Sequence, residues 1–461
     1  MKLALISGES NRRLILLFAG WGMDARPFEG LARPGYDIVV LWDYRSLDVD
    51  WSFTAPYEEI CVVGWSFGVY AAAATTQSLE PRVTLRMAIG GTLYPCHNSL
   101  GIPDRIFRGT LATLSERNLY KFRRRMCGDS ATFERFNARA PQRDVAELAD
   151  ELESFLPENL LMHDPCRRCD VAVIGRDDAI VPPVNQWRAW QGTPLLMYSG
   201  PHYPDFQSLL DRYVMDKERV GERFGRGFDS YEDAGVVQAR IVAELCRLLA
   251  GLSIPLSAPG IRILEVGSGT GMMSRHLHRV APEGYLEMWD LAGDAPVEGP
   301  RRLFRRLDAE TAIARVPAES FDLIVSASTV QWFNSPLQFV RRCMRALHPG
   351  GVLVLSTFVA GNLAEVNAVT GRSLPLLTPN AWLGALGDDY EVLYSRDYCD
   401  DLVFDSAADV FRHLRATGVT GLGRSADGEV PLRSVLNRFH PALDGRWHIT
   451  YRPYILILRK K

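Results

Sequence analysis

In Ile60-Cys61-Val62-Val63-Gly64-Trp65-Ser66-Phe67-Gly68-Val69-Tyr70-Ala71-Ala72-Ala73-Ala74, an apolar run breaks at a G-x-S-x-G pentapeptide and opens into alanines. The run suits a strand buried on both faces, the alanines suit a helix, and the glycines let the backbone turn sharply between them. Strand, turn and helix in that order put a serine hydroxyl at the end of a sheet, beside the positive end of a helix. Ser66 is the candidate nucleophile.

Working outward, Leu14-Ile15-Leu16-Leu17-Phe18 predicts a second buried strand, ending in Ala19-Gly20-Trp21-Gly22 with a helix expected to about Leu31. The backbone N–H groups of Trp21 and Phe67 would then form an oxyanion hole. Asp37–Trp42 and Val83–Ile89 read as further strands, which makes the pattern an α/β unit with a mostly parallel sheet. From about 95 to 165 the strand signal gives way to helical spacing rich in Arg, Glu and Leu, read as a helical cap over the sheet. Asp170–Pro182 returns to strand and turn, and its G-x-x-D-x-x-V-P ending resembles the acid-bearing turn of α/β-hydrolases, which selects Asp178 over Asp177. After the strand Pro194–Tyr198, His202 is the only histidine before the second domain. Ser66, Asp178 and His202 follow the order this fold imposes. Such a trio performs acyl transfer: serine attacks, histidine moves the proton, aspartate orients the imidazole. Ester, thioester and amide substrates all stay open at this point.

No Pro-, Gly- or Ser-rich tether appears between Asp211 and Glu222, so a short junction is expected, dividing the chain into 1–212 and 213–461. An amphipathic helix of about Val236 to Leu249 precedes Ile261-Arg262-Ile263-Leu264-Glu265-Val266-Gly267-Ser268-Gly269-Thr270-Gly271, a strand and glycine-rich turn leading into a helix of about Met272 to Val280. Glu265 before a G-x-G-x-G spacing resembles class I methyltransferases that bind S-adenosylmethionine. Glycines let the backbone approach the methionine end of that cofactor, and the helix N-terminus faces its carboxylate. Tyr285–Asp290 ends a strand in an acid suited to ribose hydroxyls. Leu303–Glu310 fits the third strand, with Asp308 near the adenine amine; Phe321–Ser328 is the fourth. Tyr451–Leu458 is expected as a late antiparallel strand. No D/N-P-P-Y tetrapeptide follows strand four, which argues against nucleobase amino groups as acceptors. A carboxylate acceptor needs no base, being ionised at neutral pH. Trp332 and Tyr231 are candidates to line its pocket, or plain core.

The chain has 461 residues, 47% of them apolar and 23% charged, with net charge −3. That length favours two domains, and that balance indicates neither a nucleic-acid binder nor a membrane-surface protein. With no signal peptide or membrane span, cytoplasm is the expectation. Eight scattered cysteines fit reduced thiols. The lone Cys166-Arg167-Arg168-Cys169 has no second ligand pair, so no metal is expected.

Taken together, the second half resembles malonyl-[acyl-carrier protein] O-methyltransferases of biotin synthesis. The resemblance is carried by Arg223-Phe224…Ser230-Tyr231, the Glu265–Gly271 loop, Phe321–Ser326, Gln331-Trp332-Phe333, Pro349-Gly350-Gly351 and Ser356-Thr357-Phe358. The first half, over roughly Met1 to Leu210, resembles the smaller, atypical α/β-hydrolases that are pimeloyl-[acyl-carrier protein] methyl ester esterases. Phe18-Ala19-Gly20-Trp21-Gly22 and Gly64-Trp65-Ser66-Phe67-Gly68 carry that likeness, with Ala19 standing where many hydrolases have His. The resemblance implies an α/β-hydrolase with a helical cap followed by a class I Rossmann-like methyltransferase. It implies cofactor contacts at Glu265, Gly267, Gly269, Gly271, Asp290, Asp308 and Ser326. It also implies an acidic acyl-carrier protein as partner, for which Arg123, Arg124 and Arg125 on the cap are docking candidates. Two alternatives stay open: a non-catalytic, carrier-docking first domain, and a thioesterase with carboxyl methyltransferase in a secondary-metabolite pathway.

Overall fold

The computed structural model describes residues 1–8, 12–160, 169–228, 231–384, 390–418 and 432–461. The chain divides into two compact units, Met1–Leu210 and Asp211–Lys461. Cys166 and Ser230 lie outside the described residues.

The first unit is built on seven strands: β1 (Lys2–Ser7), β2 (Arg13–Phe18), β3 (Asp37–Trp42), β4 (Glu59–Trp65), β5 (Val83–Ile89), β6 (Val171–Gly175) and β7 (Leu195–Tyr198). They lie in the order β1-β3-β2-β4-β5-β6-β7, parallel except for β1 at the edge. Every residue of β4 and β5 is buried, the condition that makes central strands read as unbroken apolar runs. β1 was not expected; as an edge strand it keeps Leu3 and Leu5 exposed and so lacks that signal. The helix expected after Gly22 is only a 3-10 turn, Arg26–Phe28. Pro27 stands in the first turn, where proline is tolerated, and the chain turns out of the helix at Gly30, φ +92°.

The cap is four helices: α1 (Asp104–Ala112), α2 (Glu116–Cys127), α3 (Ser130–Asn137) and α4 (Val145–Ser154). Three start on a capping side chain: Ser115, Asp129 and Asp144 accept the backbone N–H groups of Asn118, Thr132 and Glu147.

The second unit carries β8 (Arg262–Val266), β9 (Tyr285–Asp290), β10 (Arg302–Arg306), β11 (Phe321–Ala327), β12 (Leu347–Phe358), β13 (Tyr390–Asp397), β14 (Asp400–Phe404), β15 (Trp447–Tyr451) and β16 (Pro453–Lys460). The main sheet runs β10-β9-β8-β11-β12-β16-β13, with β16 antiparallel to both neighbours. Alternate residues of β8, β11 and β12 fall into separate apolar layers: Ile263, Leu323 and Val354 in one, Leu264, Ile324 and Leu355 in the other. That is a sheet covered on both faces, a Rossmann-like α/β arrangement. Strand order reverses between β8 and β11, which opens a crevice at their C-terminal ends. Among the described residues no helix is long and apolar enough to cross a membrane, and no group of His, Cys, Asp and Glu gathers as a metal site.

Candidate active sites

Ser66 follows β4 at φ +55°, a left-handed conformation costly for a residue with a Cβ. Two glycines allow the turn to pack there: a Cβ on Gly68 would fall 2.2 Å from the Phe18 carbonyl oxygen, and one on Gly91 2.2 Å from that of Ser66. Asp178 ends the turn after β6 and His202 the loop after β7. His202 Nδ1 lies 2.8 Å from Asp178 Oδ2, and His202 Nε2 lies 3.0 Å from Ser66 Oγ. A carboxylate only accepts, so the shared proton sits on Nδ1 and leaves Nε2 to accept from the serine hydroxyl. All three side chains are buried, His202 at 1% exposure.

Asp178 is itself held. Oδ1 accepts the amides of Ile180 and Val181 at 2.8 and 2.9 Å, and Oδ2 accepts Gln186 Nε2 at 2.8 Å. Trp65 Nε1 donates to the His202 carbonyl at 2.9 Å. Gln186 and Trp65 were missed from sequence. Gln186 carries no signal beyond its place on a short helix, whereas Trp65 stood inside the pentapeptide and could have been singled out.

The amides of Trp21 and Phe67 donate no hydrogen bond among the described residues, and both residues border a cleft of about 500 Å³ with Ser66 and His202. Ile102, Ile106, Phe107, Phe122, Met126 and Leu152 give the cleft a mostly apolar wall, with Thr110 and Arg125 its polar members. The three cap arginines separate. Arg124 and Arg125 are exposed and lie over the rings of Phe133 and Phe122, and Arg125 reaches the cleft. Arg123 is half-buried, with its guanidinium at the Pro141 carbonyl and its pKa lowered by burial, so it is withdrawn from the docking set.

In the second unit a cavity of about 1100 Å³ opens at the reversal point. Gly267, Ser268 and Gly269 line it, and so do Glu265, Asp290 and Asp308. A Cβ on Gly267 would strike Thr329 Oγ1 at 1.9 Å, while one on Gly269 would meet nothing within 4 Å because the loop faces the cavity there. Asp290 Oδ2 accepts the Gly269 amide at 2.8 Å and Oδ1 the Ala292 amide at 3.0 Å, so the acid also shapes the loop. Tyr231, Trp332 and Phe224 wall the opposite side, Phe224 edge-on to both rings. Burial pushes the Tyr231 phenol up to about 12.

Two expected cofactor residues sit elsewhere. Ser326 is fully buried and donates to the Val266 carbonyl at 3.0 Å, inside the sheet. Ser328, two residues on and past the strand end, lines the cavity instead. Gly271 does not line it; at φ +91° it starts the helix Met272–Val280. Asp308 caps a short helix through the Glu310 amide and accepts Lys217 Nζ at 2.7 Å. Lys217 reaches Glu310 as well, at 2.7 Å, and Glu310 accepts the amides of Asn334 and Ser335. This buried cluster was not seen in the sequence.

Glu265 Oε2 and the hydroxyls of Ser268 and Ser328 are buried without a partner among the described residues. Such atoms are costly unless something polar meets them. Set beside a glycine cradle and an aromatic wall, they fit a ligand with an amino-acid end and an adenosine end.

Residues 1–203 match the family model "Pimeloyl-ACP methyl esterase BioG". Residues 237–382 match a "Methyltransferase domain" model, which implies S-adenosylmethionine as the methyl donor. A malonyl-[acyl-carrier protein] O-methyltransferase of Bacteroides fragilis is 34% identical over 470 residues, covering 98% of this chain and 94% of the relative. Another, of Haemophilus influenzae, is 30% identical over 251 residues, 53% of this chain and 95% of its own length. The crystal structure of BioG from Haemophilus influenzae is 32% identical with a TM-score of 0.39, covering 44% of this chain and 94% of that one.

Proposed function

This chain belongs to the malonyl-[acyl-carrier protein] O-methyltransferases, in a form with a BioG-type domain ahead of the methyltransferase domain, and we propose that it holds two steps of biotin synthesis. The second unit methylates the free carboxylate of malonyl-[acyl-carrier protein]. The first hydrolyses the methyl ester of pimeloyl-[acyl-carrier protein]. The observation that carries the esterase activity is the relay from Ser66 through His202 to Asp178, at 3.0 and 2.8 Å, beside the Trp21 and Phe67 amides, which donate to nothing among the described residues.

In this reading His202 accepts the Ser66 proton as Oγ adds to the ester carbonyl. The Trp21 and Phe67 amides take the negative charge that develops on the carbonyl oxygen. His202 then hands its proton to the departing methanol oxygen, leaving an acyl-serine. Water attacks that acyl group while giving its proton to His202, and Ser66 regains a proton as the free acid leaves. Asp178 fixes the imidazole tautomer throughout, steadied by Gln186.

S-adenosylmethionine, when bound, supplies a methyl group made electrophilic by its sulfonium. The malonyl carboxylate is ionised at neutral pH and needs no base, so the protein's tasks are alignment and exclusion of water. Glu265, Gly267, Gly269 and Asp290 would hold the cofactor, with Asp308 farther along the cavity, and Tyr231 and Trp332 would cover the acceptor. The gain from the ester is physical: it removes a charge whose desolvation an apolar elongation pocket would resist. Arg124 and Arg125 would face the acidic carrier, and the working compartment is the cytoplasm.

The test is a pair of assays on the full chain: methyl transfer to malonyl-carrier and cleavage of methyl pimeloyl-carrier. Ser66→Ala should lose cleavage and keep transfer; Gly269→Val should do the reverse. Undiminished cleavage by Ser66→Ala would refute the esterase half, and a wild-type chain unable to consume S-adenosylmethionine would refute the other.

A further inference from the structure

The loop Ala19–Met23 carries the Trp21 amide and runs against the nucleophile: a Cβ on Gly20 would lie 3.2 Å from that of Ser66. Besides the Ala19 amide on the Leu41 carbonyl at 2.9 Å and the Trp21 ring against Phe122, four side-chain hydrogen bonds hold this loop. Tyr44 Oη donates to the Ala19 carbonyl at 2.7 Å, and Trp21 Nε1 donates to the Leu148 carbonyl at 2.9 Å. The Gly22 amide reaches Glu151 Oε2 at 3.5 Å, and Arg143 Nη1 reaches the Met23 carbonyl at 3.4 Å. All but Tyr44 come from α4 or the residues just before it.

Glu151 is the hub of the set. Its Oε1 accepts the Tyr44 amide at 2.8 Å, and its Oε2 accepts Arg143 Nη1 at 2.6 Å. Both charged side chains are almost fully buried, at 1% and 3% exposure. A helix does not need a sunken ion pair to pack; Leu148 and Leu152 already bury its apolar face. Apolar residues of similar volume often stabilise such a position at least as well. The pair therefore calls for another reason, and the loop it touches supplies one.

We propose that Glu151, held by Arg143 and acting with Tyr44, is the positioning residue of the oxyanion hole, keeping the Ala19–Met23 loop set so that the Trp21 amide stays beside Ser66. The proposal rests on the reading of the first unit as an esterase. It makes α4, whose Leu152 also lines the cleft, part of the catalytic geometry rather than only a cover.

The test uses the full chain, p-nitrophenyl butyrate as a small ester, and a trifluoromethyl ketone that Ser66 would convert to a charged hemiketal. Glu151→Gln should lower kcat by about tenfold to hundredfold with KM within about twofold, the scale of a displaced rather than deleted oxyanion donor. Affinity for the ketone should fall by the same factor. Arg143 also pairs with Asp43 at 3.3 Å, which Arg45 continues to hold when Arg143 is removed, so the paired apolar variant Glu151→Leu with Arg143→Met should still fold yet stay slow. Wild-type kcat in either folded variant overturns the proposal, because the ion pair would then be structural only. If neither variant folds, Tyr44→Phe decides: kcat lowered at constant KM supports the proposal and wild-type kinetics overturns it. A wild-type chain that neither cleaves the ester nor binds the ketone overturns the esterase reading instead.

Discussion

Replacing Glu265 by Gln should stabilise the second unit, and by more at higher pH. The side chain is 2% exposed at the end of β8. Burial above all, with a further push from Asp290, raises its carboxyl from 4.5 to about 8. In the unfolded chain the same group titrates in its ordinary range. Below about pH 4.5 both states carry the proton and the stability this group contributes is fully present. As the pH climbs, the unfolded state ionises while the folded state keeps its proton, so stability falls until about pH 8, where the folded group ionises too. Each pH unit in that window is worth about 1.4 kcal/mol. Between about pH 5 and pH 7.5 the wild-type chain should therefore lose roughly 3 kcal/mol that Gln, with no proton to exchange, does not lose.

Urea unfolding monitored by hydrogen exchange of the β8 and β11 amides reads the second unit by itself and measures this directly in both proteins across that range. The difference between variant and wild type is the quantity to read, since other titrating groups cancel in it. It should climb with pH and flatten above about pH 8. A difference constant with pH would refute the reasoning, because it would mean the buried carboxyl is not held protonated. Saturating S-adenosylmethionine adds a second arm. A cationic ligand beside the carboxyl favours its ionised form, so the wild-type pH slope should shrink with ligand present.

Lys217→Met leaves Asp308 and Glu310 without their shared cation; breaking a buried pair this way costs about 3–5 kcal/mol, read in the same unfolding assay, and a loss below about 1 kcal/mol would contradict it. Arg124→Glu, at the exposed arginine that does not line the cleft, should raise KM for carrier-bound methyl ester by about threefold and leave a small soluble ester unaffected, as rim charges act on encounter; equal effects on both esters would discard carrier docking at this face. Gln186→Leu frees one oxygen of Asp178 from a donor and should slow ester cleavage by about tenfold, with kcat unchanged as the contrary result.

The parts legible in sequence are those where burial is complete or covalent constraint is tight. β4 and β5 are buried at every residue, so their apolar runs had no competing pattern. The elbow and the glycine turn were readable because a Cβ at Gly68 or Gly267 would collide with backbone or side chain. What was not legible is held by long-range polar contacts. Glu151 meets Tyr44 across 107 residues and Lys217 meets Asp308 across 91; no local period encodes such pairs. Ser326 shows a finer limit: the strand was recognised, but which of its serines passes the sheet edge depends on where pairing with β12 stops, at Ala327. Arg123 shows another, since a run of three arginines on a helix must point in three directions and one of them turns inward.

On the proposed function, one chain would both make and cleave methyl esters and would need a reason not to undo its own product; the apolar cleft beside Ser66 offers one. A malonyl methyl ester has one methylene between its carbonyls and a pimeloyl ester has five. Ile102, Ile106, Phe107, Phe122, Met126 and Leu152 offer apolar surface along the path such a chain would take. Each buried methylene contributes about 0.8 kcal/mol, so four more give roughly 3 kcal/mol, or on the order of 200-fold in kcat/KM. That ratio is enough for the short ester to pass on to elongation while the long one is cut. Competition between the two methyl esters on one carrier protein measures it, and Phe107→Ala, which opens the apolar wall, should reduce the ratio. Equal kcat/KM for the two esters in the wild-type chain would mean that chain length is not read in this cleft at all.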